Sequence, residues 1–385
     1  MFIIILVAED AEQGSPMPGE AGYQMWGALL RSGGSDRLDV RSDLELDGPP
    51  GPGEVQLRVR ATALCHSDLS AMTGTMPVGL PAVLGHEAAG EVVAIGGGVS
   101  HVAPGDRAVV AAVPPCGRCP FCLRGSAHLC VNFRTMFGRS PRHRCGAELV
   151  HSFCGIGSFA EQTILPADAV VPIGGDVPYD VACIVGCAVV TGVGAVLNEA
   201  RVEAGDTVVV FGCGGVGMSV LLGARVAGAA AIVAVDPAES RRAAALRLGA
   251  THAVAPDELR VLGKTLHGGL GFDFAFEAAG LSRTVRAAYD SVRRGGTAVV
   301  LGIGSADDPV SFSAYELAWS AKRLVGSTYG SGDVRREFPR LLSLWRGGLL
   351  PIDELITHRL AIGEINDGIS AMRRGEGIRQ VVLFD

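Results

Sequence analysis

At 385 residues with 48% hydrophobic content, the chain is long enough for two domains with substantial cores. A net charge of −7 excludes the basic face that nucleic acid or an anionic membrane would need. Ten cysteines in a chain this long do not make a small disulfide scaffold, and their metal-type spacing places the protein in a reducing cytoplasm.

Met1 to Ala8 is apolar but lacks a basic leader and runs into Glu9, Asp10 and Glu12, so it suits neither a secretory signal nor a membrane span. Residues 9–24 read as a disordered polar tail. Residues 1–24 are therefore taken as an extension outside the fold, with Met25 as an alternative start. From 25 to about 170, short β-type runs are separated by turns. Val55 to Arg60 alternates with period two, Gly90 to Ile95 and Arg107 to Val113 are β-rich, and Pro-Gly punctuation falls at 49–53 and 104–105.

The character changes after about residue 190. Asp206 to Phe211 (DTVVVF) is a continuous apolar run, as a strand buried on both faces requires. A helix over 214–229, a strand over 231–235 and a helix over 241–248 follow. Further strands are predicted at 273–277, 297–301 and 324–326. Alternating strands and helices predict a doubly wound parallel sheet. The chain then returns through a helix (335–346), a 359–362 segment, a helix (365–374) and a last strand, 380–384. The fold class is α/β: an irregular mostly-β domain from 25–188 and 329–385, and a parallel-sheet domain from 189–328.

Two motifs carry chemistry by themselves. Cys116, Cys119, Cys122 and Cys130 read C-x2-C-x2-C-x7-C in a Pro/Gly-rich stretch, a spacing that lets four thiolates converge on one tetrahedral zinc ion. Such a site has no open position, so it holds a loop together and does no chemistry. Gly212-Cys213-Gly214-Gly215-Val216-Gly217 is G-x-G-x-x-G between a strand and a helix, and Asp236 ends the next strand. The glycines let a backbone approach a pyrophosphate at a helix N-terminus. Asp236 would accept from a ribose and repel a 2′-phosphate. With no Arg or Lys at 237–240, this selects NAD over NADP.

A second metal site is assembled from distant pieces: Cys65, His86 and Cys187. Two thiolates and an imidazole leave a fourth position open, as catalytic zinc requires, and Asp68 would orient the His86 ring. Each residue alone reads as a buried Cys, a core His or a surface Asp. The neighbouring motifs reverse that reading.

With CHSD at 65–68, GHEAAGEVVAIG from Gly85, the four-cysteine lobe, GCAVVTG, GCGGVG and the closing GIRQVVLF, the chain resembles the zinc-dependent medium-chain alcohol dehydrogenase family over residues 25–385. The resemblance implies a GroES-like catalytic domain and a Rossmann domain, NAD, and two zinc ions per chain. By position it makes Cys65, His86 and Cys187 catalytic zinc ligands, Glu87 an alternative ligand, and the lobe cysteines structural ligands. Ser67 matches the hydroxyl that takes the substrate's proton, and His66 and Arg379 match groups on the coenzyme pyrophosphate. Thr191 and Val216 would pack on the nicotinamide, with Gly212, Gly214, Gly215 and Gly217 forming the turn and Asp236 and Arg241 meeting the ribose. It also implies a homodimer or homotetramer paired near 297–301.

There are departures. Ser70 stands where some members carry a relay histidine, and Ala112 replaces a frequently aromatic wall. Met76, Phe153, Cys154, Ile303 and Thr328 would line the rest of an apolar pocket. The basic run Arg134, Arg139, Arg142, His143, Arg144 keeps open a thiol-adduct formaldehyde dehydrogenase, which needs an anion-binding mouth. An inactive zinc-stabilised interaction protein is the rival from another class, opposed by the intact open zinc set. A cysteine-rich nucleic-acid module fails on charge.

Overall fold

A computed structural model describes residues 22–133 and 141–384. The reading of 1–24 as an extension falls largely on residues outside that range. The first strand, Met25–Leu30, begins at the predicted boundary.

Among the described residues three sheets organise the chain. Met25–Leu30, Asp39–Leu46, His143–Cys145, Glu148–Ser152 and Ala82–Val83 close into a small barrel around Leu29, Leu30 and Leu44, which are fully buried. A second sheet runs through Val170–Pro172, Arg107–Val110, Ala88–Ile95, Glu54–Ala63, Arg379–Leu383 and Ile356–Ala361, with Gln162–Pro166 on the side of Glu54–Ala63. Its last-arriving strand, Arg379–Leu383, pairs antiparallel with Glu54–Ala63, Val381 opposite Ala63. The C-terminus thereby returns to the strand that leads into Cys65.

The third sheet is parallel throughout, in the spatial order His252–Val254, Ala231–Val235, Thr207–Phe211, Phe272–Glu277, Val292–Val300, Arg323–Gly326. Numbered along the chain this is 3-2-1-4-5-6, the doubly wound order, and its switch point lies beside Thr207–Phe211. Val208, Val209 and Val210 are fully buried because helices cover both faces. Each contributes about 1.5–3 kcal/mol of apolar burial.

The predicted strand at 297–301 extends back to Val292, through a register shift opposite Phe272/Phe274. Exposed Arg293, Arg294 and Gly295 hid that half from the apolar pattern. The strand predicted to 113 stops at Val110, because Ala112 N–H donates to Tyr329 Oη at 2.8 Å and so leaves the ladder.

The two halves are joined by the helix Tyr179–Ala200, which runs unbroken through position 188. It is 22 residues long with mean hydropathy 2.1, long and apolar enough to cross a membrane, yet 78% of its apolar window is buried in the protein. Glycine explains how it packs: a Cβ on Gly192 would lie 2.5 Å from Ser219 Cβ, so the helix Gly215–Ala227 can settle directly against it. The helix widens to π geometry at Val185–Val189 and Ala195–Ala200. The first of these stretches holds Cys187.

Candidate active site and metal centres

Each ligand of the buried cluster is placed by a different element. Glu54–Ala63 delivers Cys65, which caps the helix His66–Thr73. Asp68, three residues on, reaches back to accept from Cys65 N–H at 3.0 Å, a capping-box arrangement. Its other oxygen accepts from Gly85 N–H at 3.1 Å and lies 3.4 Å from His86 Nδ1. One carboxylate thus fixes the Cys65 turn, the His86 turn and the imidazole together. Gly85 has φ +86°, and a Cβ there would strike Phe159 and Ser158 at 2.5 Å, so only glycine fits this bend. Phe153 packs edge-on against the His86 ring, 5.5 Å between centroids.

The ligand atoms of Cys65, His86, Glu87 and Cys187 lie within 4.8 Å of one another. Tetrahedral zinc with bonds of about 2.0–2.3 Å needs ligand atoms roughly 3.3–3.8 Å apart. The set therefore fits zinc with little contraction. A hydrogen bond with Cys187 is the main reason that Cys65 is held well below the ordinary thiol range. The same bond, with burial, pushes Cys187 well above it. Against the penalty of burial, Asp68 and Cys65 pull His86 well above its ordinary value. Thiol, imidazole and carboxylate donors that converge in a buried space are the set that a zinc ion would take up, with loss of the protons they now share.

Glu87 is fully buried and forms an ion pair with Arg379, itself 5% exposed. Burial pushes the Glu87 carboxyl up to about 8, with Arg379 opposing. Its Oε1 has no hydrogen-bond partner among the described residues. Arg379 also lies on the glycine turn: a Cβ at Gly215 would be 2.7 Å from Arg379 Cδ. The arginine assigned to the coenzyme is therefore shared between that turn and Glu87, a connection with no trace in sequence spacing. Ser67 Oγ lies 3.8 Å from Cys65 Sγ.

Cys116, Cys119, Cys122 and Cys130 also converge within 4.8 Å. Cys116 N–H points at Cys130 Sγ and Cys119 N–H at Cys116 Sγ, both 3.3 Å. Backbone donors at Cys122 and Val131 bring the Cys119 thiol down to about 6, while burial and neighbouring thiols push Cys122 up to about 12. All ten cysteines are free thiols. This donor set likewise fits a closed four-thiolate zinc.

At the sheet's switch point Gly212 has φ +91° and sits against the 278–279 backbone. A Cβ on Gly217 would lie 1.8 Å from Gly212 O, whereas Gly214 faces open space. The turn is thus closed on its inner side and open toward a ligand. Asp236 accepts from Cys213 N–H at 2.8 Å and Ala238 N–H at 2.9 Å, with Arg241 Nη1 3.8 Å away. Thr191 and Val216 are half-buried, and His66 is exposed on the first turn of its helix. Of the predicted pocket wall, Ala112, Phe153 and Cys154 are buried and Met76 is half-buried, while Ile303 and Thr328 are exposed. In the basic run Arg142 is committed to Glu54, Asp47 O and Pro49 O, Arg144 to Gly146 O, and His143 is buried. Arg134 and Arg139 lie outside the described residues. Sequence reasoning missed Tyr329, whose hydroxyl donates to Gly186 O beside Cys187; its only signal was the glycine-rich G-S-T-Y-G-S-G context.

Residues 51–175 match the alcohol dehydrogenase GroES-like domain family, and residues 215–346 the zinc-binding dehydrogenase family. The chain is 36% identical to an S-(hydroxymethyl)glutathione dehydrogenase of Paracoccus denitrificans, covering 89% of this chain and 95% of that one. Among solved structures it is similar to an alcohol dehydrogenase zinc-binding domain protein of Burkholderia ambifaria (TM-score 0.88, 32% identity). It is also similar to the benzyl alcohol dehydrogenase of Acinetobacter calcoaceticus (TM-score 0.85, 31% identity), each comparison covering 94% of this chain and 99% of the other. The chain belongs to the zinc-dependent medium-chain alcohol dehydrogenase family. It is an oxidoreductase interconverting an alcohol and a carbonyl compound by hydride transfer with a nicotinamide cofactor.

Proposed function

We propose that the protein is an NAD-preferring alcohol dehydrogenase with two zinc ions per chain, acting on apolar alcohols. The observation that carries this is the buried meeting of Cys65, His86, Glu87 and Cys187, with Ser67 beside Cys65. Bound there, zinc would supply Lewis acidity toward the alcohol oxygen and NAD a hydride acceptor. Cys65, His86 and Cys187 hold the metal, with Glu87 as an alternative ligand. Ser67 takes the substrate's proton. Asp68 holds the His86 ring, Phe153 shields it, and Ala112 leaves room for a substrate chain.

Coenzyme preference rests on Asp236, which is 2% exposed and already tied to the glycine turn. A 2′-phosphate would meet a carboxylate that cannot swing away. Arg241, held near Asp236 and bonded through Nε to Gly375 O at 3.2 Å, completes the ribose end. Arg379, Thr191 and Val216 flank the pyrophosphate and nicotinamide, and His66 stands at the pyrophosphate. The pairing seam expected near 297–301 is not at an edge, because that strand is buried and paired on both sides, with Phe272–Glu277 and Arg323–Gly326. The edge strand Arg323–Gly326, with exposed Tyr315, Trp319 and Leu324 around it, is the seam that suits a dimer or tetramer. A cytoplasmic location accords with ten unpaired thiols.

The test is a screen of primary, secondary and aromatic alcohols with NAD and NADP, following reduced nicotinamide, alongside elemental zinc analysis. A second reading, oxidation of a thiol–formaldehyde adduct, is favoured by the likeness to the Paracoccus enzyme. Arg142 does not supply its anion-binding mouth, being committed to Glu54, Asp47 O and Pro49 O. Formaldehyde oxidation that requires added glutathione and exceeds the rate on simple alcohols would select it.

A further inference from the structure

Tyr329 is only 6% exposed and lies in the connection between the last strand of the parallel sheet, Arg323–Gly326, and the helix Val334–Arg346. That connection is one of the chain's crossings between the halves; the helix Tyr179–Ala200 is another. The phenol joins them, donating to Gly186 O and accepting from Ala112 N–H at 2.8 Å. Gly186 precedes the proposed ligand Cys187 within the π-helical stretch Val185–Val189. Ala112 stands at the stem from which the four-cysteine lobe departs. A single hydroxyl therefore spans the backbone beside one metal cluster and the root of the other.

The surrounding turn is shaped to press this phenol inward. Tyr329, Gly330 and Ser331 have φ of 51°, 75° and 53°, a run of left-handed residues that two non-glycine side chains adopt only under constraint. The constraint is contact with the Cys187 helix. A Cβ on Gly330 would lie 2.0 Å from Val190 O, and one on Gly194 would lie 2.4 Å from Gly330 O. Asn198 Nδ2 donates to Gly330 O at 3.0 Å. Gly186, Val190, Gly194 and Asn198 recur at intervals of four, so the turn lies along one face of the helix. The widened π segment, where ordinary helix bonding is interrupted, is the part that the phenol grips.

We propose that Tyr329 is a positioning residue that fixes Cys187 at the catalytic metal by clamping the π segment of its helix to the lobe stem. The inference rests on the reading of Cys65, His86 and Cys187 as zinc ligands. Removing the hydroxyl takes a donor from Gly186 O and the acceptor from Ala112 N–H, and lets the Cys187 turn shift. The lobe's own cysteines, bonded to their own backbone, keep their arrangement.

The test uses the full-length zinc protein. Zinc release to a chelator is followed in the wild type and in Tyr329→Phe, Asn198→Ala and Val233→Ala, the last a core change in Ala231–Val235, at the opposite side of the parallel sheet from the turn. The phase belonging to the catalytic site is the one missing from Cys65→Ser. Tyr329→Phe is expected to speed that phase about tenfold or more, the scale of a lost partner behind a metal ligand, and Asn198→Ala by less. The lobe phase stays unchanged. In protein carrying Co(II) at the catalytic site, the visible bands should move in Tyr329→Phe and hold in Val233→Ala. A Tyr329→Phe protein with wild-type release and wild-type cobalt bands overturns the proposal. So does one whose changes are matched by Val233→Ala, since that would be general loosening. If Tyr329→Phe fails to fold, unaltered release in Asn198→Ala overturns it. A wild type with no Cys65-dependent zinc phase overturns the two-zinc reading and this inference with it, and the absent phase tells that failure from the others.

Discussion

The two cysteine clusters solve the same chemical problem by opposite routes. The lobe draws its four thiols from residues 116–130, and its own backbone amides point at the sulfurs. The buried cluster draws on a strand end, a glycine bend and a π-helical segment separated by about a hundred residues of chain. Its order comes from partners that are themselves distant: Asp68 across two turns, Arg379 from the C-terminal strand, Tyr329 from the interdomain connection. A site made locally can be lost at a cost in stability without rearranging the other cluster. A site made by the fold records whether that fold has closed correctly, and that suits a site that must meet a coenzyme on another sheet.

Substitution of one ligand in each cluster tests the contrast most sharply. Cys65→Ser should abolish turnover while the circular dichroism, the melting transition and NAD binding stay close to wild type. Cys119→Ser should leave one zinc per chain and a measurable alcohol dehydrogenase activity at low temperature. It removes one of the four sulfurs that converge in the lobe, and with it the tie that holds residues 116–130 together, so Tm should fall by a readily measured amount. Elemental analysis and calorimetry give both results. If Cys65→Ser lowers Tm more than Cys119→Ser, the division into functional and supporting metal is wrong.

The same contrast explains what the sequence could reveal. The lobe was complete in its spacing, and the glycine turn was readable because strand, turn, helix and terminal Asp236 follow one another along the chain. Residues 207–211, 231–235 and 272–277 appear as strands within a residue or so of prediction, since strands buried on both faces must be continuously apolar. The catalytic ligands were not derivable from spacing; the neighbouring zinc and dinucleotide motifs, and then the family resemblance, joined Cys65 to Cys187. The barrel, the Glu87–Arg379 pair, the π segment and the Tyr329 clamp left no local pattern, because each depends on which distant backbones come into contact.

Coenzyme choice lies between these extremes, being a local motif with a structural burden. Replacing Asp236 with Gly removes the charge facing a 2′-phosphate. The NAD/NADP preference, measured as a ratio of kcat/KM, should shrink by roughly one to three orders of magnitude. The structure adds a second effect: Cys213 N–H and Ala238 N–H lose their acceptor. Binding of both coenzymes should therefore weaken together with the change in preference, and Asp236→Asn should retain more of that shared affinity than Asp236→Gly. A wild type that uses NADP as readily as NAD would refute the role of Asp236.

The smallest expected effect concerns the exit of the proton from the buried site. Ser67 lies beside the metal ligands, and Ser70, one turn further along the helix His66–Thr73, offers no imidazole to pass the proton outward. Alcohol oxidation by the wild type should therefore climb into the alkaline range without a separate inflection near pH 6.5, the ordinary histidine value. Ser70→His places a base one step from Ser67. A base in direct contact with the reacting proton contributes roughly 10²–10⁴-fold, and a base one step removed should contribute far less, so a gain of a few-fold at neutral pH is expected. The gain should fade at high pH, where hydroxide already removes the proton. Ser70 is half-buried, and its carbonyl accepts from Met76 N–H at 2.9 Å, a bond that the substitution leaves in place, so stability should hardly change. A wild-type profile that already turns near pH 6.5, and still does so in His66→Ala, would mean that another base completes the path and that the buried site reaches solvent by a route not passing Ser70.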